Sequence, residues 1–335
     1  MIEELSGVLR SAGKEPVVLG NQALVLPFGC RVLGLYPAPG VNTLWRSDAL
    51  DQADTASALI GEPGWVNTGG LRGWISPETE THVSDLDGFW ETYEVPRQVD
   101  PGAYRVTASD DGSVTLECAM TPHFYRHGVD VPLHLRRTFS LIDAEAPAGV
   151  HGAGIAIDSV LSAAGPLPDG VRPALWNLVQ VPGGGEIVVP VNRDPDPVTM
   201  FGEPGFQYAD DRIRWRVETN VSSKISLRAP DCRGCMAYLS ESGPAPTLLV
   251  YRFSVHDASL YSDVPGHDLT DTGQVQQVYV DDGSLGGFGE LEYHTPALEP
   301  GEREELTDHG ELRAYTGPVE MLREVLDETI TRHLL

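Results

Sequence analysis

A chain of 335 residues with a formal charge of −26 does not have the basic surface that nucleic acid or an anionic membrane requires of a partner. Its 41% hydrophobic and 21% charged residues are those of a folded globular protein and exclude a disordered one. With 36 glycines and 26 prolines, turns are frequent, which favours many short-linked strands over a helical architecture.

The chain opens on Met1-Ile-Glu-Glu-Leu-Ser, which has no basic segment followed by an apolar run, so the expectation is a cytoplasmic protein. Residues 2–12 then carry Ile2, Leu5, Val8 and Leu9 at helical spacing and stop at Gly13. Strand-like stretches follow from Val17 to Tyr36, and again at 104–108, 114–119, 133–141, 154–161, 186–191, 213–218, 224–228, 236–239 and 247–255. In the 133–141 stretch Leu133, Leu135, Phe139 and Leu141 alternate with His134, Arg136, Thr138 and Ser140, the pattern of an antiparallel strand with one packed face. Pro318 opens a last helix over 318–333, whose apolar stripe is Met321, Leu322, Val325, Leu326 and Ile330. No change of composition marks a boundary, so a single domain over 1–335 is expected: all-β, a large antiparallel two-sheet β-sandwich with short N- and C-terminal helices.

Two distant segments carry the chemistry. Read as strands, whose side chains alternate between faces, Gly70–Glu80 puts Arg72, Trp74, Ser76, Glu78 and Glu80 on one side. Gly287–Pro296 puts Phe288, Glu290, Glu292 and His294 on one side, with Leu291 and Tyr293 opposite. Arginine, tryptophan and carboxylates together are costly to bury without partners and suit a wet cleft that grips a sugar. A solvated outer face with a tryptophan packed at its edge is the competing reading for either segment, and a surface position the competing one for His294. Trp176, Asn177 and Gln180 add an aromatic ring and two amides of use to a sugar site, although Trp176 also fits a plain core. Trp45, Trp65 and Trp90 sit in loops where they could stack on a sugar or seal the sandwich.

The four cysteines include one Cys-x-x-Cys, Cys232 and Cys235, with no second ligand pair nearby, so they read as structural turn residues. No bound metal and no cofactor are expected. The acidic loop at Asp281-Asp282 lacks the ligand spacing of a calcium loop.

The ordered set Gly69-Gly-Leu-Arg-Gly-Trp-Ile-Ser-Pro-Glu, Arg136-Arg-Thr-Phe-Ser-Leu, Leu175-Trp-Asn-Leu-Val-Gln-Val-Pro-Gly-Gly, Ser223-Lys-Ile-Ser-Leu and Phe288-Gly-Glu-Leu-Glu-Tyr-His-Thr-Pro resembles the galactose mutarotase-like superfamily of β-sandwiches, which contains the aldose 1-epimerases. The closest likeness is to an uncharacterised family within it. The resemblance implies a small-molecule carbohydrate as ligand and Glu292, in Leu291-Glu-Tyr-His-Thr-Pro, as the base. It also exposes a departure: Thr68 and the Pro173-Ala-Leu-Trp-Asn-Leu segment stand where the epimerases carry their two histidines. The acid must then come from Glu78, Glu80, His82, His123 or His294, with Glu78 the first choice, since two close carboxylates push one pKa up. Arg72 is the expected anchor, and Trp74 and Trp176 the stacking platform. The expected function is epimerase-like acid–base chemistry at or near the anomeric carbon. A sugar-binding protein without turnover, or a glycoside hydrolase or lyase on the same scaffold, is the alternative. Which sugar is bound and the oligomeric state stay open.

Overall fold

The structure, a computed structural model, describes residues 2–192, 194–243 and 245–334. Two antiparallel sheets dominate it. The first runs, in spatial order, through Val17–Leu19, Ala23–Leu26, Arg31–Leu35, Leu71–Ser76, Ala174–Pro182, Phe288–His294, Gln274–Val280, Ser223–Arg228 and Val198–Phe201. The second has ten strands, with Glu305–Thr316, His151–Ala163 and Leu133–Ile142 as its long central members. Their facing sides form one apolar layer, in which Val179, Val181 and Leu291 of the first sheet meet Ile155, Ile157 and Leu312 of the second. The fold class read from the sequence is the one observed.

Strand alternation accounts for most of this. In Leu133–Ile142 the side chains at 133, 135, 137 and 139 are buried while those between are partly or fully exposed. Arg137 is the exception on the packed side. It is fully buried, donating to Ser159 Oγ at 3.2 Å and to Asn177 Oδ1 at 2.7 Å. The terminal helices are Ile2–Ser11 and Val319–Leu334; Leu322, Leu326 and Ile330 of the latter pack on Val188, Ala237 and Val250 of the second sheet. Among the described residues no helix is long and apolar enough to cross a membrane.

The Gly69-Gly70 pair is a packing requirement. Gly70 has φ +80°, and a Cβ there would lie 2.2 Å from the Val32 carbonyl oxygen. Only glycine lets the Leu71–Ser76 strand approach its neighbour so closely. Among the elements not anticipated are the strands Val198–Phe201 and Gln274–Val280 and three short helices, at Ala53–Gly61, Glu78–Thr81 and Phe89–Thr92. The middle one corrects the expectation of a strand running to Glu80. The strand stops at Ser76, the chain turns at the cis Ser76–Pro77 bond, and a helical turn follows. Cys232 and Cys235 border a turn, as expected, and are free, buried thiols. Burial pushes the Cys235 thiol up to about 12, so it stays protonated and inert.

Candidate active site

The register of the first sheet assembles the site. Trp74, Trp176 and His294 lie side by side on three neighbouring strands. One step along, Arg72, Leu178, Glu292 and Gln277 form a second row. Gln180, Glu290, Tyr279 and Lys224 form a third. All lie on the face turned away from the second sheet, and Arg72, Trp74, Trp176, Leu178, Lys224, Tyr279 and Glu290 among them line a cleft of about 700 Å³. Trp65, Trp90, Tyr93, Phe201, Leu285 and Phe288 complete its lining, with the rings of Trp90 and Phe201 in contact. The volume and the mix of rings with a few charges are those of a small-molecule site.

Two buried ion pairs run across the floor. Arg72 Nη2 donates to Glu290 Oε1 at 2.8 Å, and Gln180 Nε2 donates to the same oxygen at 2.9 Å. Lys224 Nζ donates to Glu292 Oε2 at 2.9 Å, an oxygen that also accepts from Trp176 Nε1 at 2.7 Å. The guanidinium of Arg72 lies 4.4 Å from the Trp74 ring, and the Lys224 ammonium 4.5 Å from that of Trp176, so each cation also meets an indole face. Behind the floor, Asp263 Oδ2 accepts from Gln277 Nε2 at 2.8 Å and lies 3.4 Å from His294 Nε2.

These surroundings move the titrations. Burial raises Glu292 to about 7, against the pull of Lys224. Burial lowers Lys224, but the charges of Glu292, Glu78 and Glu290 outweigh it, and its pKa ends above the ordinary value. Glu78 is raised by burial, with Lys224 and the hydroxyl of Tyr93 acting the other way; that hydroxyl donates to Glu78 Oε1 at 2.8 Å. Asp263 rises to about 6 through burial. His82 falls to about 3, and His294 well below its usual range, because burial disfavours the imidazolium and Lys224 repels it.

The structure brings Arg72, Trp74, Glu78, Trp176 and Glu290 together on the cleft surface. Gln180 lies at the base of the same face, bonded to Glu290. Glu292 and His294 share that face but lie beneath its surface, with 0% and 1% exposure. His294 is therefore no surface histidine; its ring stacks at 5.6 Å on Trp176. Asn177 does not belong to the cleft. Strand alternation turns it into the inter-sheet layer, where it binds Arg137 and reaches Asp308 Oδ2 at 3.3 Å. Glu80 also points elsewhere, toward Arg126 and His127, and His123 pairs with Asp130 on an exposed two-stranded ribbon. His82 lies among the rings of Trp74, Tyr93 and Trp176, off the cleft surface. Trp65 and Trp90 line the cleft, whereas Trp45 packs on Phe288.

Sequence reasoning passed over Lys224, Tyr93, Tyr279 and Asp263. For Lys224 a signal existed: it is one of only two lysines, set among apolar residues in Ser223-Lys-Ile-Ser-Leu, with the period-two spacing of a polar strand face.

The double sheet, with its cleft on the outer face of one layer, is the galactose mutarotase-like β-sandwich. Two solved structures, each named "putative aldose 1-epimerase", share it. That from Escherichia coli K12 superposes with a TM-score of 0.53 over 90% of this chain and 98% of its own, at 11% identity. That from Klebsiella pneumoniae gives a TM-score of 0.52 over 92% of this chain and 80% of its own, also at 11% identity. No family model and no curated protein matches the sequence.

Proposed function

We propose that the cleft binds a carbohydrate and performs epimerase-like acid–base chemistry at or beside the anomeric carbon. One observation carries this reading: an aromatic-floored cleft holds Glu78, a carboxyl raised by burial, together with Lys224, an ammonium held by a second carboxylate. The shared fold with proteins named as aldose 1-epimerases supports the class of ligand.

Ring opening of a cyclic sugar moves one proton off the anomeric hydroxyl and places one on the ring oxygen. Glu78, in its ionised form, accepts the first. Lys224 supplies the second, and its charge stabilises the oxygen as the C–O bond breaks. Closure on the other face of the aldehyde returns both protons. Glu292, the base expected from the sequence, lies under Lys224 and serves as a positioning residue that holds the ammonium and exchanges its proton. Arg72 and Glu290 bind each other through one nitrogen, Nη2, so the pair as a whole carries no net charge. An uncharged sugar suits this floor better than an acidic one.

Binding without turnover is the second reading, favoured by the complete burial of Glu292. Exchange between α and β anomers, followed by NMR over a panel of aldoses, separates the two. Catalysed exchange with at least one aldose is expected, lost about 100-fold or more in Glu78→Gln. Sugar-dependent thermal stabilisation without faster exchange would establish a binding protein, and no response to any sugar would overturn both readings.

A further inference from the structure

The cleft has an annex that the proposed chemistry at a single sugar ring does not use. A second cavity of about 290 Å³ adjoins the first, and the two share Glu78, Trp90, Phe201 and Lys224. The rest of its lining is Leu86, Phe89, Met200, Gly266 and His267, mainly apolar. At the boundary stands Trp90, 59% exposed, a large apolar surface left in water. Its ring is pinned by Phe201 at 5.1 Å and Phe89 at 4.9 Å, both edge-on, and by Tyr93 at 5.9 Å. A clamped ring with an open face is a stacking platform formed before any ligand arrives.

We propose that the ligand has two units: a sugar ring in the large cavity and, joined to it through a glycosidic oxygen, a second ring in the annex against Trp90. Because Glu78 and Lys224 belong to both cavities, the link between the units passes beside them; a ligand joined through the anomeric oxygen of the first ring has no proton there to give and is bound without ring opening. Away from Glu78 and Lys224 at the boundary, the annex lining suits a flat apolar face, with His267 its one polar side chain; an aromatic aglycone and the C–H face of a second sugar share that property. This inference rests on the carbohydrate reading of the cleft.

Calorimetric titration with methyl glycosides of glucose and galactose, both anomers, sets the affinity for one unit. The matching 4-nitrophenyl glycosides, with maltose and lactose, measure what a second unit adds. At least one two-unit ligand is expected to bind about tenfold tighter than its methyl counterpart, and whether it is a nitrophenyl glycoside or a disaccharide tells aglycone from second sugar. Leu86→Trp, which fills the annex, and Phe89→Ala, which removes part of its wall, should each bring that ratio close to one while methyl glycoside affinity holds. The retained methyl glycoside affinity reports that each variant is folded. If free sugars or methyl glycosides bind and the second unit adds nothing, or if the advantage survives in both variants, the two-unit inference fails and the carbohydrate reading stands. If no sugar or glycoside binds, both fall.

Discussion

Lys224 and Glu292 meet at 2.9 Å with almost no exposure of either side chain, 5% and 0%, and Trp176 donates to the same carboxylate oxygen. A pair so placed is worth less than its geometry suggests, because desolvation of both charges offsets much of their attraction. Breaking it from one side is another matter. Lys224→Met leaves a buried carboxylate with no counter-charge and should lower stability by about 3–5 kcal/mol. Lys224→Met combined with Glu292→Gln should recover a large part of that loss, since the uncompensated charge is gone. Urea unfolding of the wild type, both single variants and the double variant measures the coupling; simple additivity would show that the pair does not act as a unit.

How far such a floor can be read from sequence depends on where each residue sits. Trp176, Glu290 and Glu292 occupy strands, and a period of two places them on one face without any coordinates. The same rule, applied one residue out of phase, would have excluded Asn177, which follows Trp176 directly and points to the other side. Glu78 reached the cleft for a reason the strand pattern does not contain: Pro77 breaks the strand and a helical turn swings the carboxylate back. Asp263 and Tyr93 come from loops whose paths are set by packing far along the chain, and no local spacing encodes that.

Asp100 is another loop residue with no local signature. Its Oδ2 accepts from Trp65 Nε1 and Trp74 Nε1, each at 2.9 Å, and from the buried Arg31. One carboxylate thus orients two of the cleft's indoles and neutralises a guanidinium behind them. Asp100→Ala should cost about 3–5 kcal/mol in urea unfolding through the unpaired arginine. Both indoles lose their acceptor as well, so tryptophan fluorescence under native conditions should shift. A stability loss with an unchanged spectrum would mean that the rings are held by packing alone.

His82 makes the acid side of the stability profile testable. Its folded pKa of about 3 lies below the ordinary imidazole value of about 6.5. Between those values the unfolded chain binds a proton that the folded chain refuses, so stability rises with pH and is lost as pH falls. Glu292 has the opposite sign. Its folded pKa of about 7 exceeds the usual carboxylate value, so its contribution is present in acid and disappears as pH rises toward 7. The two partly cancel in the wild type between about pH 4.5 and 6.5. His82→Phe, which keeps a ring against Trp74 and Tyr93, should therefore gain on the wild type by about 1.4 kcal/mol per pH unit below 6.5. Thermal or urea unfolding at pH 7.5, 6.5 and 5.5 reads the slope, and a difference that does not change with pH would show that His82 is not held neutral.

Tyr93 tunes the carboxyl assigned to proton transfer. Burial raises Glu78, and the Tyr93 hydroxyl, donating at 2.8 Å, favours the ionised form and limits that rise. Tyr93→Phe keeps the ring that packs on Trp90 and His82 and removes only the donor. A hydrogen bond to a charged acceptor contributes about 1.5–3 kcal/mol, so the Glu78 pKa should climb by about 1–2 units. In the proposed ring opening Glu78 must be ionised, and the rate therefore rises with pH as it loses its proton. That rising limb should move to higher pH in Tyr93→Phe by the same amount, with the plateau rate little changed. A purely structural role for Tyr93 would lower the rate at every pH and leave the limb where it was, so the pH profile of anomer exchange distinguishes the two outcomes directly.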